Sequence, residues 1–410
     1  MPGATCAAPL DVLIVGAGIS GLAAANALSS RFPLLRVLDS RSRVGGRLLS
    51  HDGVDLGGSW SWSHDTSAAK LAQKFGIASV SQRLDGNAYV MQQGGAAQRV
   101  GDVGDQIAPC GPMARRFAGG YAELPRQLAA SLPEDALRLD TRVVSLEHQP
   151  AAGASSLPST IKVGIEGGEP LFARRVILAL PPRLASRIEF TPALPEATQR
   201  RLASTATWCG DWAKVVAIFR EPFWRARGDS GTAATPGGLV DVWWEANSAG
   251  PDSDDVGLPA LGGLTFGAAG AARLDAFGPA SAVEPLSAAS ASKRAAGDPA
   301  GASESPSGLR AEVVRTLGAL YGEDVVAEQL VRVTHKAWMA DADTYASPPG
   351  GREPPGDPRS SYGHPQLRTP LAWGVHFAGT ESESESGHVS GALMAAERAA
   401  REVASALEHE

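Results

Sequence analysis

Cysteine is scarce: the chain of 410 residues has three, Cys6, Cys110 and Cys209. Their wide spacing fits neither a zinc pattern nor a disulfide framework, which makes a reducing compartment the default expectation. Histidine is sparse as well, and no Ser–His–Asp or metal-ligand constellation stands out. His51, His64 and His364 are scattered and expected at the surface. Positive charge is not in excess: 37 Lys and Arg against 44 Asp and Glu give a net charge of -7, which argues against nucleic acid as the main partner. No apolar run approaches the ~20 residues that span a bilayer, so no membrane partner is expected. The N-terminal apolar stretch has no charged region ahead of it, so it reads as a strand and not as a signal peptide. The last residues, Leu407 to Glu410, are not a peroxisomal tripeptide. Cytoplasm is the expected location, with an organelle left open. No internal repeat is visible.

What is present suits a globular protein of one large or two ordinary domains: 43% hydrophobic and 20% charged residues. Val12 to Val15 is a short apolar run, the pattern of a buried strand. It ends in Gly16-Ala17-Gly18-Ile19-Ser20-Gly21, a GxGxxG. An Ala-rich helical segment follows, then a second apolar run from Leu34 to Leu38, then Asp39. In such a unit Gly16 permits the tight turn, Gly18 lets the backbone approach a pyrophosphate, and Gly21 lets helix and strand pack. The amide groups and dipole of the first helix face the phosphate charge. Asp39 lies 18 residues past Gly21, near the ~20 expected for a carboxylate that grips a ribose hydroxyl. A GxGxxG alone is a weak signal; with strand, helix and acid in register it is strong.

The residues that follow narrow the dinucleotide. Arg41, Arg43, Gly45, Gly46 and Arg47 continue without a break, and Asp55-Leu56-Gly57-Gly58-Ser59-Trp60 comes soon after. This stretch resembles the flavin-containing amine oxidase family, whose N-terminal run reads roughly E-A-R-x-R-x-G-G-R and then D-x-G-G-S. The resemblance implies FAD, not NAD. It implies that Gly16, Gly18, Gly21, Gly46, Gly58, Ser59 and Trp60 line the cofactor, that Asp39 holds the adenosine ribose, and that Arg41 and Arg47 lie along the adenine-ribose and pyrophosphate stretch. Asp39 stands where the family usually has Glu, one methylene longer; a longer strand or a bridging water makes up the reach. The match continues in Phe117-Ala118-Gly119-Gly120-Tyr121, in the strand Arg142 to Leu146, and in Arg175 to Pro182; the resemblance implies that Val143 meets adenine through its backbone. The expected fold class is α/β, with a Rossmann-like FAD-binding domain and a mixed α+β substrate domain. Segments 9–80, 118–190 and 366–406 build the first. Segments 81–117 and 191–365 build the second, with a shortened lid, because 81–117 is poorly patterned where the family carries a long helical insertion. Residues 280–308, rich in Ala, Ser, Gly and Pro, read as a disordered insertion.

The C-terminal stretch FAGTESESESGHVSGALMAAERAA is the second specific match. By resemblance, Gly379, Thr380 and Glu381 meet the phosphate and ribityl part of FAD. The helix that begins near Gly387, His388 and Val389 aims its N-terminus at the pyrimidine end of the flavin, where its dipole favours negative charge. Lys214, on an alternating apolar strand after Thr207-Trp208-Cys209, corresponds to a family lysine that holds a water near flavin N5. The plainer alternative is an edge-strand lysine facing solvent. Trp338 matches a family tryptophan beside the flavin, or is a core aromatic. His388 replaces the usual Tyr of an aromatic cage around the substrate nitrogen; Tyr345 is a candidate second wall. Lys214, His388 and Trp338 are therefore the expected catalytic residues. Family members that bind FAD covalently use a cysteine before the final turn, and none occurs between Trp338 and Gly379, so FAD is expected to be non-covalent. The resemblance implies oxidation of a small amine by hydride transfer to the flavin, with O2 as acceptor and hydrogen peroxide as product. Two rivals stay open: an amino-acid oxidase or desaturase on the same scaffold, and an FAD-binding remnant without turnover.

Overall fold

The computed structural model describes residues 8–92, 96–151, 159–247, 257–278, 307–351, 353, 357–384 and 387–410. The chain divides into two compact units. Unit one comprises residues 1–47, 124–210 and 342–410; unit two comprises 48–123 and 211–341.

Unit one is built on a mixed eight-stranded sheet. Its central strand Leu10–Val15 runs parallel to Leu35–Leu38 on one side and to Leu171–Leu178 on the other. Val12, Leu13 and Ile14 are fully buried, as expected for a parallel strand covered on both faces. Leu137–Arg138 extends the sheet beyond Leu35–Leu38, and Val375–Phe377 lies parallel to Leu171–Leu178. Val143–Gln149, Thr160–Ile165 and Leu171–Leu178 form an antiparallel meander, with Glu189–Thr191 at the edge. The first helix, Ile19–Leu28, and the last, Val389–Glu408, pack against each other. Both bury small residues, Ala24 and Ala25 on the first and Ala395, Ala396 and Ala399 on the last.

Unit two holds a seven-stranded sheet in the order Leu330–Ala337, Ala213–Phe219, Ala260–Thr265, Val242–Asn247, Asp229–Ala234, Asn87–Met91, Ala97–Val100. Alternation along Ala213–Phe219 sorts its side chains between two cores. Val215, Ala217 and Phe219 face the helices Gly267–Asp275 and Ser307–Tyr321, with Trp224 and Trp243. Val216 and Ile218 face Val54, Leu56 and Trp244.

The stretch 81–117, poorly patterned in sequence, carries two strands of this sheet, and Ser79–Ser81 pairs with Arg115–Phe117. These strands are short and mostly half-exposed, so no local alternation marks them. The low-complexity stretch 280–308 lies outside the described residues except for its last two, which begin the helix Ser307–Tyr321. Among the described residues no helix is long and apolar enough to cross a membrane, and no group of His, Cys, Asp and Glu could hold a metal ion.

Candidate active site

Unit one gathers Gly16, Gly18, Gly21, Asp39, Arg41, Gly46, Arg47, Val143, Gly379, Thr380, Glu381, Gly387, His388 and Val389; unit two holds Gly58, Ser59, Trp60, Lys214 and Trp338. Each group is described within its own unit.

The glycine turn of unit one is tightly specified. Gly16 has φ +108, and a Cβ there would stand 2.6 Å from the Ala179 carbonyl oxygen; a Cβ on Gly21 would stand 1.9 Å from the Gly16 carbonyl oxygen. Gly18 differs: nothing lies within 4 Å of where its Cβ would be. Open space at the middle glycine, at the start of a helix with no side-chain cap and no acid in its first turn, is what a pyrophosphate needs. Gly45 crosses the turn, its N–H donating to the Ala17 carbonyl at 2.9 Å, and Gly46 with φ +57 lies against Gly18. Asp39 is buried at the end of the second strand. Its Oδ2 accepts from the Ala17 N–H at 2.7 Å and its Oδ1 from the Arg41 N–H at 2.9 Å. A carboxylate oxygen has two lone pairs, so both keep acceptor capacity for a ribose hydroxyl. Arg41 donates to Thr344 Oγ1 at 2.6 Å. Val143 is buried, and the Thr141 N–H beside it donates to the Asp39 carbonyl at 2.8 Å.

The C-terminal turn is braced from several sides. Gly379, with φ +106, donates its N–H to Ser20 Oγ at 3.0 Å, and Ser20 Oγ donates to the Ala392 carbonyl at 2.8 Å. Thr380 Oγ1 donates to the His388 carbonyl and accepts from the Gly387 N–H, both at 2.9 Å. Its hydroxyl thus shapes the turn. Glu381, 1% exposed, takes both guanidinium nitrogens of Arg47, at 2.6 and 3.0 Å, and the Trp208 N–H at 3.1 Å. Arg47 also donates to the Trp208 carbonyl at 3.1 Å. Burial opposes the Arg47 charge, but Glu381 outweighs it and raises the pKa further above the ordinary guanidinium range. The helix Val389–Glu408 starts just after His388, again with no side-chain cap and no acid in its first turn.

Trp208 is the residue that sequence reasoning missed. Its ring lies 6.2 Å from that of His388, tilted by 34°, and Arg359 covers it at 5.4 Å. Gly387, with φ +89, leaves room for it, since a Cβ there would stand 3.0 Å from the indole. Tyr345, the candidate second wall, donates its hydroxyl to Glu353 Oε1 at 3.0 Å, a carboxylate that also pairs with Arg183.

Lys214 of unit two sits on a strand paired on both sides, to Ala260–Thr265 and to Leu330–Ala337, and is 7% exposed. The edge-strand alternative is therefore excluded. Its Nζ donates to the Gly57 carbonyl at 2.6 Å and to Ser59 Oγ at 2.5 Å. The same ammonium lies 5.1 Å from the Trp60 ring and 5.4 Å from the Trp244 ring. Burial of an ammonium is tolerated only with such partners. Trp338 is buried, and its Nε1–H donates to the Leu56 carbonyl at 3.1 Å. Gly58 is exposed beside Leu48.

Residues 97–404 match the family described as flavin containing amine oxidoreductase. The chain belongs to this family. Residues 14–75 match an NAD(P)-binding Rossmann-like domain. Putrescine oxidase of Kocuria rosea is 24% identical over 56% of this chain and 68% of its own. Human amine oxidase [flavin-containing] B is 24% identical over 97% of this chain and 86% of its own. The solved structure of cyclohexylamine oxidase from Brevibacterium oxydans superposes with a TM-score of 0.71 at 20% identity, covering 98% of this chain and all of that one. The fold is that of the two-domain flavin amine oxidases, and the chain is an oxidoreductase. FAD is its cofactor, and the open space at Gly18 and the two uncapped helix starts fit that group.

Proposed function

We propose that this flavoenzyme oxidises the C–N bond of a small amine to an imine, which water then hydrolyses, with O2 as terminal acceptor and hydrogen peroxide as product. Bound FAD, held without a covalent link, supplies the two-electron acceptor for this chemistry. The observation that carries the reading is Lys214: an ammonium buried on a central strand and fixed by Gly57, Ser59 and two indoles. Such fixed charge, held in place before reaction, is what a redox step that develops charge requires. Trp338 braces the same segment through Leu56. His388 and Trp208 offer a flat wall to the substrate nitrogen. An imidazolium would repel a protonated amine, and no side chain has to remove a proton if the amine binds neutral. The relatives' names, putrescine oxidase and amine oxidase B, support an amine as substrate class.

The test is an anaerobic titration of the purified yellow protein with a panel of amines and amino acids. Bleaching by amines alone is the expected result; bleaching by amino acids alone, or by nothing, refutes the reading. Lys214→Met with FAD retained should lose turnover by at least about a hundredfold, and unchanged turnover removes the role given to Lys214.

A further inference from the structure

Residues 55–59 of unit two form a strap that reaches each side chain placed above on its reactive face. The Leu56 carbonyl accepts from Trp338, and the Gly57 carbonyl and Ser59 Oγ accept from Lys214. The strap starts at Asp55, which is 6% exposed. Its Oδ1 accepts from Ser50 Oγ and, at 2.8 Å, from the Tyr121 N–H. Ser50 Oγ in turn accepts from the Ala122 N–H at 3.0 Å. Only glycine fits at position 120, where a Cβ would stand 2.4 Å from Ser50 Oγ and 2.9 Å from Asp55 Oδ1. Nothing in the cofactor reading uses this buried carboxyl.

We propose that Asp55 is the positioning residue of the reactive face: tied to Ser50 and the Tyr121 amide, it fixes the strap whose Leu56 and Gly57 carbonyls and Ser59 hydroxyl hold Trp338 and Lys214. Its kinetic consequence rests on the amine-oxidase reading; its geometry does not. Burial, the largest influence on Asp55, pushes its pKa up to about 6, against the Ser50 hydrogen bond, the Lys214 charge, the Tyr121 amide and the Arg116 charge, all of which favour the carboxylate. Asp65 acts on the Tyr121 phenol next to it. The Asp55 charge is therefore lost as pH falls through about 6.

Asp55→Asn keeps the size and an acceptor for both donors but removes the charge. It is compared, as FAD-loaded protein, with Lys214→Met and with the double variant. Flavin bleaching by a good amine should slow by about tenfold or more in Asp55→Asn with KM changed less than about twofold. The wild-type loss of rate below about pH 6 should vanish, and the double variant should match Lys214→Met within about twofold. Tryptophan emission gives a readout free of turnover, because Trp60 and Trp244 face Lys214: the wild type should show a step near pH 6 that Asp55→Asn lacks. Losses that multiply in the double variant, or an emission step that survives in Asp55→Asn, overturn the proposal. If no amine bleaches the wild type, the amine-oxidase reading fails, and the emission titration alone decides on Asp55.

Discussion

Glu381 offers the sharpest test of whether the final turn is held by the protein itself or only by its cofactor. The carboxylate is 1% exposed and accepts three hydrogen bonds, two from Arg47 and one from the Trp208 amide. Arg47 is 26% exposed, so part of its charge can be rehydrated when the partner is lost. Removing one member of a buried ion pair costs about 3–5 kcal/mol, and the partial exposure puts Glu381→Ala at the low end, about 3 kcal/mol. Glu381→Gln keeps an acceptor for the Trp208 N–H and one for Arg47 but no charge, and should cost about half as much. In a chain of this size about 3 kcal/mol lowers the thermal midpoint by on the order of 5 °C. The assay is differential scanning fluorimetry of each variant with FAD removed and with FAD restored. Because all three hydrogen bonds are made within the polypeptide, the drop should appear in the stripped protein as fully as in the loaded one. A stripped protein with an unchanged midpoint, and a defect seen only as weaker FAD retention, would refute this reasoning.

Asp55 has a pKa raised by burial from 3.8 to about 6, so its contribution to stability is present below about pH 4 and lost as pH rises through about 6; the wild type should lose about 3 kcal/mol relative to Asp55→Asn across that window, read from thermal midpoints against pH. Gly18→Ala meets no protein atom and should fold normally while FAD affinity falls by about tenfold or more, whereas Gly16→Ala should yield little folded protein; equal FAD affinity in wild type and Gly18→Ala argues against a phosphate at this turn. Burial pushes the Cys110 thiol up to about 12, so a thiol reagent at pH 8 should leave it unmodified while half-buried Cys209 reacts, as peptide mass spectrometry would show.

Much of unit one was legible because its signals are local. The run from Val12 through Asp39 carries strand, turn, helix and acid in one stretch, and FAGTE carries the final turn. The Lys214 strand could be read from its alternation, but its central place in the sheet could not, since that depends on partners about 50 and 120 residues further along. The strands at 87–91 and 97–100 pair with each other, yet stayed hidden because they are short and mostly half-exposed, so no clean alternation marks them. Trp208 was quoted in a matching motif without a role, because its function as the neighbour of His388 arises only when two distant segments meet. Asp55 was read as one letter of a cofactor motif. Its buried knot with Ser50 and Tyr121 depends on a turn more than 60 residues away.

The bonds from Ser20 Oγ to the Ala392 carbonyl and from the Gly379 N–H to Ser20 Oγ span 372 and 359 residues. A ribosome that adds roughly 5–20 residues per second needs on the order of 20–70 s to deliver Ala392 after Ser20. For that interval the nascent glycine turn exists without its brace. A premature stop between Asp341 and Gly379 would release a polypeptide able to build unit two yet unable to finish unit one, a species suited to capture by chaperones and early proteolysis.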